Sequence, residues 1–357
     1  MLAGAGYRVI LADHLRWPLA AASRLHAGYH RIPSFLWEPV AAAAALIRLL
    51  DREKVDLVIP TCEEVLHLAK VWQEHRPKVP VFAPSLEVLR QVHNKFDFIT
   101  LCAELGVRVP ETRLLRTADD LVATQSDAGR LVYKPVWSRF GGSVLIRPHP
   151  RALSRIRPTP EAPWVAQAFV QGEEVSVFAV AVGGRLTALA AYCAVIRAGH
   201  GAAIAFEAVD AGPVRPIADA LIQNLDWTGQ ISLDVILRPD GQALPIECNP
   251  RATSGLHFFR NSAAVAGAYL GGSEVLPDVT SPQGVPLALW AYGMRPGSLG
   301  AFNQARRRVE SVFDWPDDRV GLWPQLRSLA EFSAIGLRHG IGLQHATTID
   351  IEWDGSG

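Results

Sequence analysis

Apolar and polar positions alternate along this chain in two different textures. Up to about residue 93, short apolar runs of strand length are separated by stretches of helical period. Residues 2–13 read as the tail of a helix, a glycine turn and a buried strand ending in Asp13. Residues 39–54 follow a helical pattern, 55–60 read as a short buried strand, Thr61-Cys62-Glu63-Glu64 opens the next helix, and 79–83 form another strand. Strand–helix alternation of this period predicts a parallel, doubly wound sheet with helices on both faces. In such a sheet the strand ending in Asp13 is normally the second, with a first strand and its glycine-rich turn before it. Almost nothing precedes it here. Either the gene start is placed too far downstream, which is the favoured reading, or this region lacks an edge element.

From Asn94 the pattern changes. Asn94-Lys95-Phe96 begins a helix that runs to Leu105, with Gly106 positioned to close it. Alternating runs then follow at 131–135, 144–147, 165–170 and 175–182, which predicts α+β structure built on antiparallel sheets. From about Ala263 a third region mixes helix, glycine-rich turns and Trp-bearing segments. The chain shows neither an internal repeat nor a low-complexity linker.

Residues 231–251 carry the sharpest chemical pattern. Two apolar runs flank Pro239-Asp240-Gly241, which is hairpin chemistry. With Asp240-Gly241 at the tip, and a loop of either two or four residues, position 238 faces 243 and Asp234 faces Glu247. Opposed residues share one face of a sheet, and Asn249 joins them by the two-residue period of a strand. Two facing carboxylates beside an amide oxygen repel unless a cation lies between them. Hard oxygen ligands of this kind suit Mg²⁺, with nucleotide phosphates completing the shell. The plain alternative is an exposed hairpin face with solvated acids.

Composition narrows the field. A chain of 357 residues with 49% hydrophobic and 20% charged residues can form two or three ordinary globular domains. The formal net charge is +0, which gives no nucleic-acid footprint. The Ala-rich run at 41–45 is too short and too soon interrupted by charge to span a membrane. Cys62, Cys102, Cys193 and Cys248 show no CxxC spacing and follow no secretory signal, so they read as reduced thiols of a cytoplasmic protein.

Other candidates are weaker alone. Thr61 and Glu64 fit a capping box, a sufficient structural reason for both, although the end of a strand would also suit a ligand. Lys134 sits in the apolar run Leu131-Val132-Tyr133 and is either an edge-strand charge or a phosphate contact. The following Ser138-Arg139-Phe140-Gly141-Gly142-Ser143 is a glycine loop whose N–H groups can wrap an anion, with Arg139 adding charge. Residues 167–174 read as an extended run turning at Gly172 and ending in acids. Such an edge can offer backbone groups to a base and a carboxylate to ribose hydroxyls, or it is simply a hairpin with polar tips. Arg197 faces a carboxylate substrate or lies in a plain surface loop, and His257 reads as structural.

In their order and spacing these segments resemble the ATP-grasp superfamily. The resemblance is nearest to carboxylate–amine ligases like carbamoyl-phosphate synthase large chains and D-alanine–D-alanine ligases. It runs from Asn94-Lys95 through Tyr133-Lys134-Pro135 and Gln167 to Glu174, and ends in Glu247-Cys248-Asn249-Pro250-Arg251. It implies an ATP-grasp fold, α/β and α+β, in four parts. Residues 1–93 would be a preATP-grasp domain, 94–164 and 165–262 the two lobes clasping ATP, and 263–357 a C-terminal extension without an assigned role. The resemblance also implies roles. Lys95 and Lys134 would contact ATP phosphates, and Ser138, Arg139, Gly141, Gly142 and Ser143 would belong to a loop closing over them. Gln167 would belong to the nucleotide site, backbone groups of Ala168, Phe169 and Val170 would hold adenine, and Glu174 the ribose. Asp234, Glu247 and Asn249 would ligate two Mg²⁺ ions, or Mn²⁺ in their place. Arg251, with Lys134, would serve the transfer step. Ser232 departs from the D-alanine ligases, which carry arginine there, so their substrate geometry is not carried over.

The expected activity is an ATP- and Mg²⁺-dependent ligase. It would activate a small, amino-acid-like carboxylate as an acyl phosphate for attack by an amine, without nucleic acid or membrane partners. Homodimers are common among such ligases. A small-molecule kinase and a non-catalytic ATP-binding module are the alternatives; dinucleotide oxidoreduction lacks the GxGxxG turn.

Overall fold

Strand β1 (Ile10–Asp13) runs parallel to β2 (Gly28–Arg31), pairing Asp13 with Arg31. The computed structural model describes the chain apart from residues 138–143, 198–202, 294–301, 303–306, 316–317 and 356–357. Helix α1 (Pro39–Glu53) starts with proline in its first turn, where a missing N–H costs nothing, and buries Ala42, Leu46, Leu49 and Leu50. Residues 55–60 and 79–83, expected as strands, reduce to one parallel bridge between Val58 and Val81. Among the described residues no ladder joins that bridge to β1 and β2. Pro60, Pro80 and Pro84 explain the difference, because each removes an N–H that a longer ladder needs.

Three helices follow. In α2 (Glu64–His75) the expected capping box is only half present. Glu64 Oε1 accepts from the N–H groups of Thr61 and Cys62 at 2.7 and 3.0 Å, but the Thr61 hydroxyl also donates to that oxygen instead of capping the helix. Helix α3 (Leu86–His93) is capped by Ser85, and α4 (Lys95–Glu104) by Asn94, whose side chain accepts from the N–H groups of Phe96 and Asp97. Gly106 closes α4 with φ +75°, as its position predicted.

Two sheets come next, antiparallel throughout except for one parallel pair at the end of the larger. The smaller contains β3 (Thr112–Leu115), β4 (Leu131–Pro135), β5 (Leu145–Ile146) and β6 (Trp164–Ala168) in the order β3-β6-β4-β5, with helix α5 (Ala118–Val122) between β3 and β4. The larger is built on β7 (Glu173–Val182), β8 (Arg185–Arg197), β9 (Ala203–Val209), β10 (Gly229–Leu237) and β11 (Ala243–Asn249), with helix α6 (Arg215–Asn224) before β10. Helix α7 (Ser262–Tyr269) follows, and the short β12 (Gln283–Gly284) and β13 (Glu310–Ser311) complete the order β11-β10-β7-β8-β9-β12-β13.

Alternation along these strands separates two cores. One face buries Val175, Val177, Leu233, Val235 and Cys248 with residues of α2, α3, α4 and α6. The other buries Phe178, Tyr192 and Phe206 with Phe258, Phe259 and α7. A later helix, Leu322–His339, returns to the N-terminal region, where Glu331 accepts from the N–H groups of Arg16 and Trp17. Among the described residues no helix is long and apolar enough to cross a membrane. The four cysteines are free thiols.

Candidate active site

The β10–β11 hairpin places Asp234 opposite Glu247 by a route the sequence did not show. Its loop is neither two nor four residues long. Gly241 N–H donates to Arg238 O and Arg238 N–H to Gln242 O, which leaves Pro239, Asp240 and Gly241 in the loop. Gly241 takes φ +81°, the conformation that such a turn asks of glycine. Position 243 therefore faces Leu237, not 238. Continued regularly, that ladder would set Glu247 opposite Leu233, on the wrong face. A bulge between Asp234 and Val235 restores the phase: Val235 pairs with Pro245, Asp234 with Glu247, and Ile246 is the extra residue.

The next two strands extend the row. Asp234 also faces Ser176 on β7, and Ser176 faces Tyr192 on β8. Ser176 Oγ donates to Asp234 Oδ1 at 2.8 Å, and Asn249 Nδ2 to Asp234 Oδ2 at 3.3 Å. Arg251 Nη2 donates to Asn249 Oδ1 at 3.2 Å. Ser176 has no signal of its own in the sequence, because its role follows from pairing across β7 and β10.

Two lysines close the other side. Lys95, at the start of α4 and only 2% exposed, places Nζ 3.6 Å from Glu247 Oε2. It also reaches Val136 O at 3.5 Å. Lys134 on β4, 4% exposed, donates Nζ to Ile246 O at 2.8 Å. The carbonyl that receives it thus belongs to the bulge residue itself.

The charges here disturb one another. Burial pushes the Asp234 carboxyl up to about 6, with the facing Glu247 adding to the shift and the Ser176 hydroxyl opposing it. Burial lowers Lys134 to about 8; Glu247 holds it up while Lys95 pushes it further down. Paired acids next to paired ammonium groups suit a ligand that brings cations to the acids and anionic oxygens to the lysines. Among the described residues no three His, Cys, Asp or Glu side chains converge into a ready metal cluster. Two carboxylates and an amide oxygen nevertheless fit Mg²⁺, which keeps waters and takes substrate phosphates for its other positions. Asn249 Oδ1 would have to leave Arg251 to join them.

Other expected residues fall differently. Gln167 is buried and donates to Thr112 Oγ1 at 3.0 Å. Ala168 and Phe169 give their N–H groups to Glu111 O and Arg130 O, so neither N–H is open to a base. Phe169 is 40% exposed and carries Arg147 over its ring at 5.2 Å. Val170 lies between β6 and β7. Glu174 is on β7 and pairs at 3.0 Å with Arg197 at the end of β8. The expected partner of Arg197, a substrate carboxylate, is thus represented by a carboxylate of the protein. Ser138, Arg139, Gly141, Gly142 and Ser143 lie outside the described residues. His257 is packed beside Phe206.

Residues 92–255 match the profile of the ATP-grasp domain. The chain carries an ATP-grasp domain. Its start falls at the end of α3 and its end just past Arg251, so it encloses both sheets' contributions to the charged cluster. Solved structures share the fold. N5-carboxyaminoimidazole ribonucleotide synthetase from Thermus thermophilus is 19% identical with a TM-score of 0.63, covering 88% of this chain and 96% of that one. An ADP complex of another N5-carboxyaminoimidazole ribonucleotide synthetase is 15% identical with a TM-score of 0.61, covering 79% and 76%. The biotin carboxylase domain of Hydrogenobacter thermophilus 2-oxoglutarate carboxylase, solved with MgADP, ADP and bicarbonate, is 11% identical with a TM-score of 0.61, covering 79% and 70%. At these identities the likeness establishes the ATP-grasp fold, with its mixed α/β lobes, and nothing finer. No curated protein matches the chain by sequence.

Proposed function

We propose that this protein is an ATP- and Mg²⁺-dependent ligase that activates a small carboxylate for attack by an amine. The carrying observation is the opposed Asp234–Glu247 pair with the Lys95 and Lys134 ammonium groups beside it. Structures of this fold solved with ADP and MgADP support a nucleotide as a ligand of this protein.

A carboxylate resists amines because oxide is a poor leaving group. In the proposed reaction a carboxylate oxygen attacks the γ-phosphorus of ATP and the bond to the ADP oxygen breaks. The amine nitrogen then adds to the acyl phosphate carbon, inorganic phosphate departs, and the nitrogen gives up a proton. Positioning and charge neutralisation carry the first step. Lys95 and Lys134 bind phosphate oxygens from α4 and β4. Asp234, Glu247 and Asn249 hold Mg²⁺, which neutralises the β- and γ-phosphates when bound. Arg251 faces the transferring group from the far side of Asn249, and Glu174 turns from Arg197 to the ribose. The substrate is small and amino-acid-like, with the N-terminal sheet edge and the C-terminal region forming the walls of its site.

ADP release from Mg²⁺·ATP, screened over pooled carboxylates and amines, tests the reading. The expected result is release that requires both a carboxylate and an amine and is lost in Glu247→Ala. Wild-type release by the mutant would overturn it. A phosphorylated product accumulating without any amine would make the protein a small-molecule kinase instead.

A further inference from the structure

In a doubly wound sheet the crevice beyond the carboxyl ends of the strands is where ligands bind. The end of β1 and the Val58–Val81 bridge are the corresponding points here, and the chain's own residues 345–355 contact His14 and Glu63 just beyond them. Asp350 Oδ2 is 2.8 Å from His14 Nδ1, next to the end of β1. Glu352 O is 3.2 Å from His67 Nε2 on α2. The Trp353 N–H donates to Glu63 Oε1 at 3.1 Å, just beyond the Val58 bridge. The Trp353 side chain is 5% exposed and belongs to the core that α2, α3 and α4 share with the large sheet. Arg90 of α3 donates to Gly355 O at 3.1 Å.

These contacts end at the nucleotide side of the molecule. Glu63 Oε1, which receives Trp353, lies 3.2 Å from His93 Nε2, two residues before Lys95. The His93 ring packs 5.7 Å from the Trp137 ring. Gly355 presses on that same indole with φ +88°, and a Cβ added there would lie 2.4 Å from Trp137 Nε1. Trp137 follows Val136, the residue whose carbonyl receives Lys95 Nζ. The segment therefore reaches both flanks of the Lys95 ammonium: α3, just before α4, through Arg90 and the Glu63–His93 pair, and Trp137, just past β4.

We propose that residues 345–355 are a positioning strap for the nucleotide site, with Trp353 and Gly355 setting the place of Lys95 through His93 and Trp137. The inference rests on the reading of Lys95 as a phosphate contact. It does not require ligation, because nucleotide binding is measured separately from turnover.

Calorimetric titration with MgADP, paired with the KM for ATP, tests it on the full chain. Trp353→Ala and Gly355→Ala are compared with Trp353→Phe and with Arg215→Ala, which breaks the partly exposed Arg215–Glu274 pair elsewhere. The strap predicts MgADP binding weakened roughly five- to tenfold in Trp353→Ala and Gly355→Ala, with KM for ATP raised in step and kcat changed less than about twofold. Trp353→Phe should recover most of the affinity, and Arg215→Ala should keep all of it. Wild-type affinity in Gly355→Ala overturns the proposal even if Trp353→Ala fails to fold. So does an affinity loss in Arg215→Ala equal to that of the strap variants. A wild-type protein that binds MgADP yet never releases ADP would sink the ligase reading and leave the strap to be judged on binding alone.

Discussion

Lys134 donates its ammonium to the carbonyl of Ile246, the one residue of β11 that the bulge leaves out of register with β10. The bulge thus has two effects. It turns Glu247 onto the face of Asp234, and it aims a carbonyl at the lysine of the opposite sheet.

Lys134→Ala should remove both a charge and the donor for a buried carbonyl. A stability loss of about 1–3 kcal/mol is expected from the orphaned acceptor. Nucleotide binding should weaken in parallel. Urea unfolding and MgADP titration on the same preparation check the two. Lys134→Arg should not restore binding, because a planar fork cannot replace a compact ammonium held at 2.8 Å from one carbonyl.

Deletion of Ile246 separates the two effects of the bulge. A regular ladder would then run from the loop and still oppose Asp234 to Glu247, but the carbonyl that Lys134 uses would be gone. The expected protein folds, retains its Mg²⁺ response, and binds MgADP more weakly than wild type. Unaltered MgADP affinity would show that the Lys134–Ile246 bond has no part in the site.

Asp234→Asn should keep the hydrogen bond from Ser176 and lose the charge that the proposed function sets against Mg²⁺. We expect a drop of roughly 10²-fold in kcat and a steep rise in the Mg²⁺ needed for half-maximal ADP release. Titrating Mg²⁺ at saturating ATP reads both, and chelation with EDTA should abolish release in wild type.

Two histidines should set opposite flanks of a stability–pH profile. Burial disfavours charge on His14, but its hydrogen bonds and attraction to Asp13 and Asp350 outweigh that and raise it from 6.5 to about 9. Its contribution is fully present below pH 6.5 and is lost as pH rises through about 9, at most about 3 kcal/mol. Burial, and then repulsion by Arg260, lower His257 from 6.5 to about 4. Its contribution is present above pH 6.5 and lost as pH falls through that interval. Thermal unfolding from pH 4 to 10 should show both flanks, and Asp350→Asn should shrink the alkaline one, leaving the part due to Asp13, without moving the acid one.

How much of this was legible in the sequence depended on range. Asp234, Glu247 and Asn249 could be placed together because a hairpin is local and strand period is simple. The hairpin pattern predicts the opposition of Asp234 and Glu247 from a loop of two or four residues, and the structure has three. An odd loop and a bulge cancel, and neither leaves a mark in composition. Asn94 and Gly106 announced the ends of α4 through their own chemistry. Residues 55–60 and 79–83 looked like strands from apolar content, but ladder formation depends on donors that proline removes. Ser176, the Glu174–Arg197 pair and the fit of Trp353 against Glu63 are contacts between residues distant in sequence. Nothing local encodes them.

The same cancelling geometry bears on how the hairpin finds its register. Without the bulge, Glu247 would enter the face where Leu233, Val235 and Cys248 pack against α3 and α4. An ionised carboxylate buried there without a partner costs several kcal/mol. A hairpin slipped by one residue is therefore disfavoured by the charge of Glu247 itself. The cost of burying that carboxylate favours the bulged alignment over the slipped one, whatever the site binds.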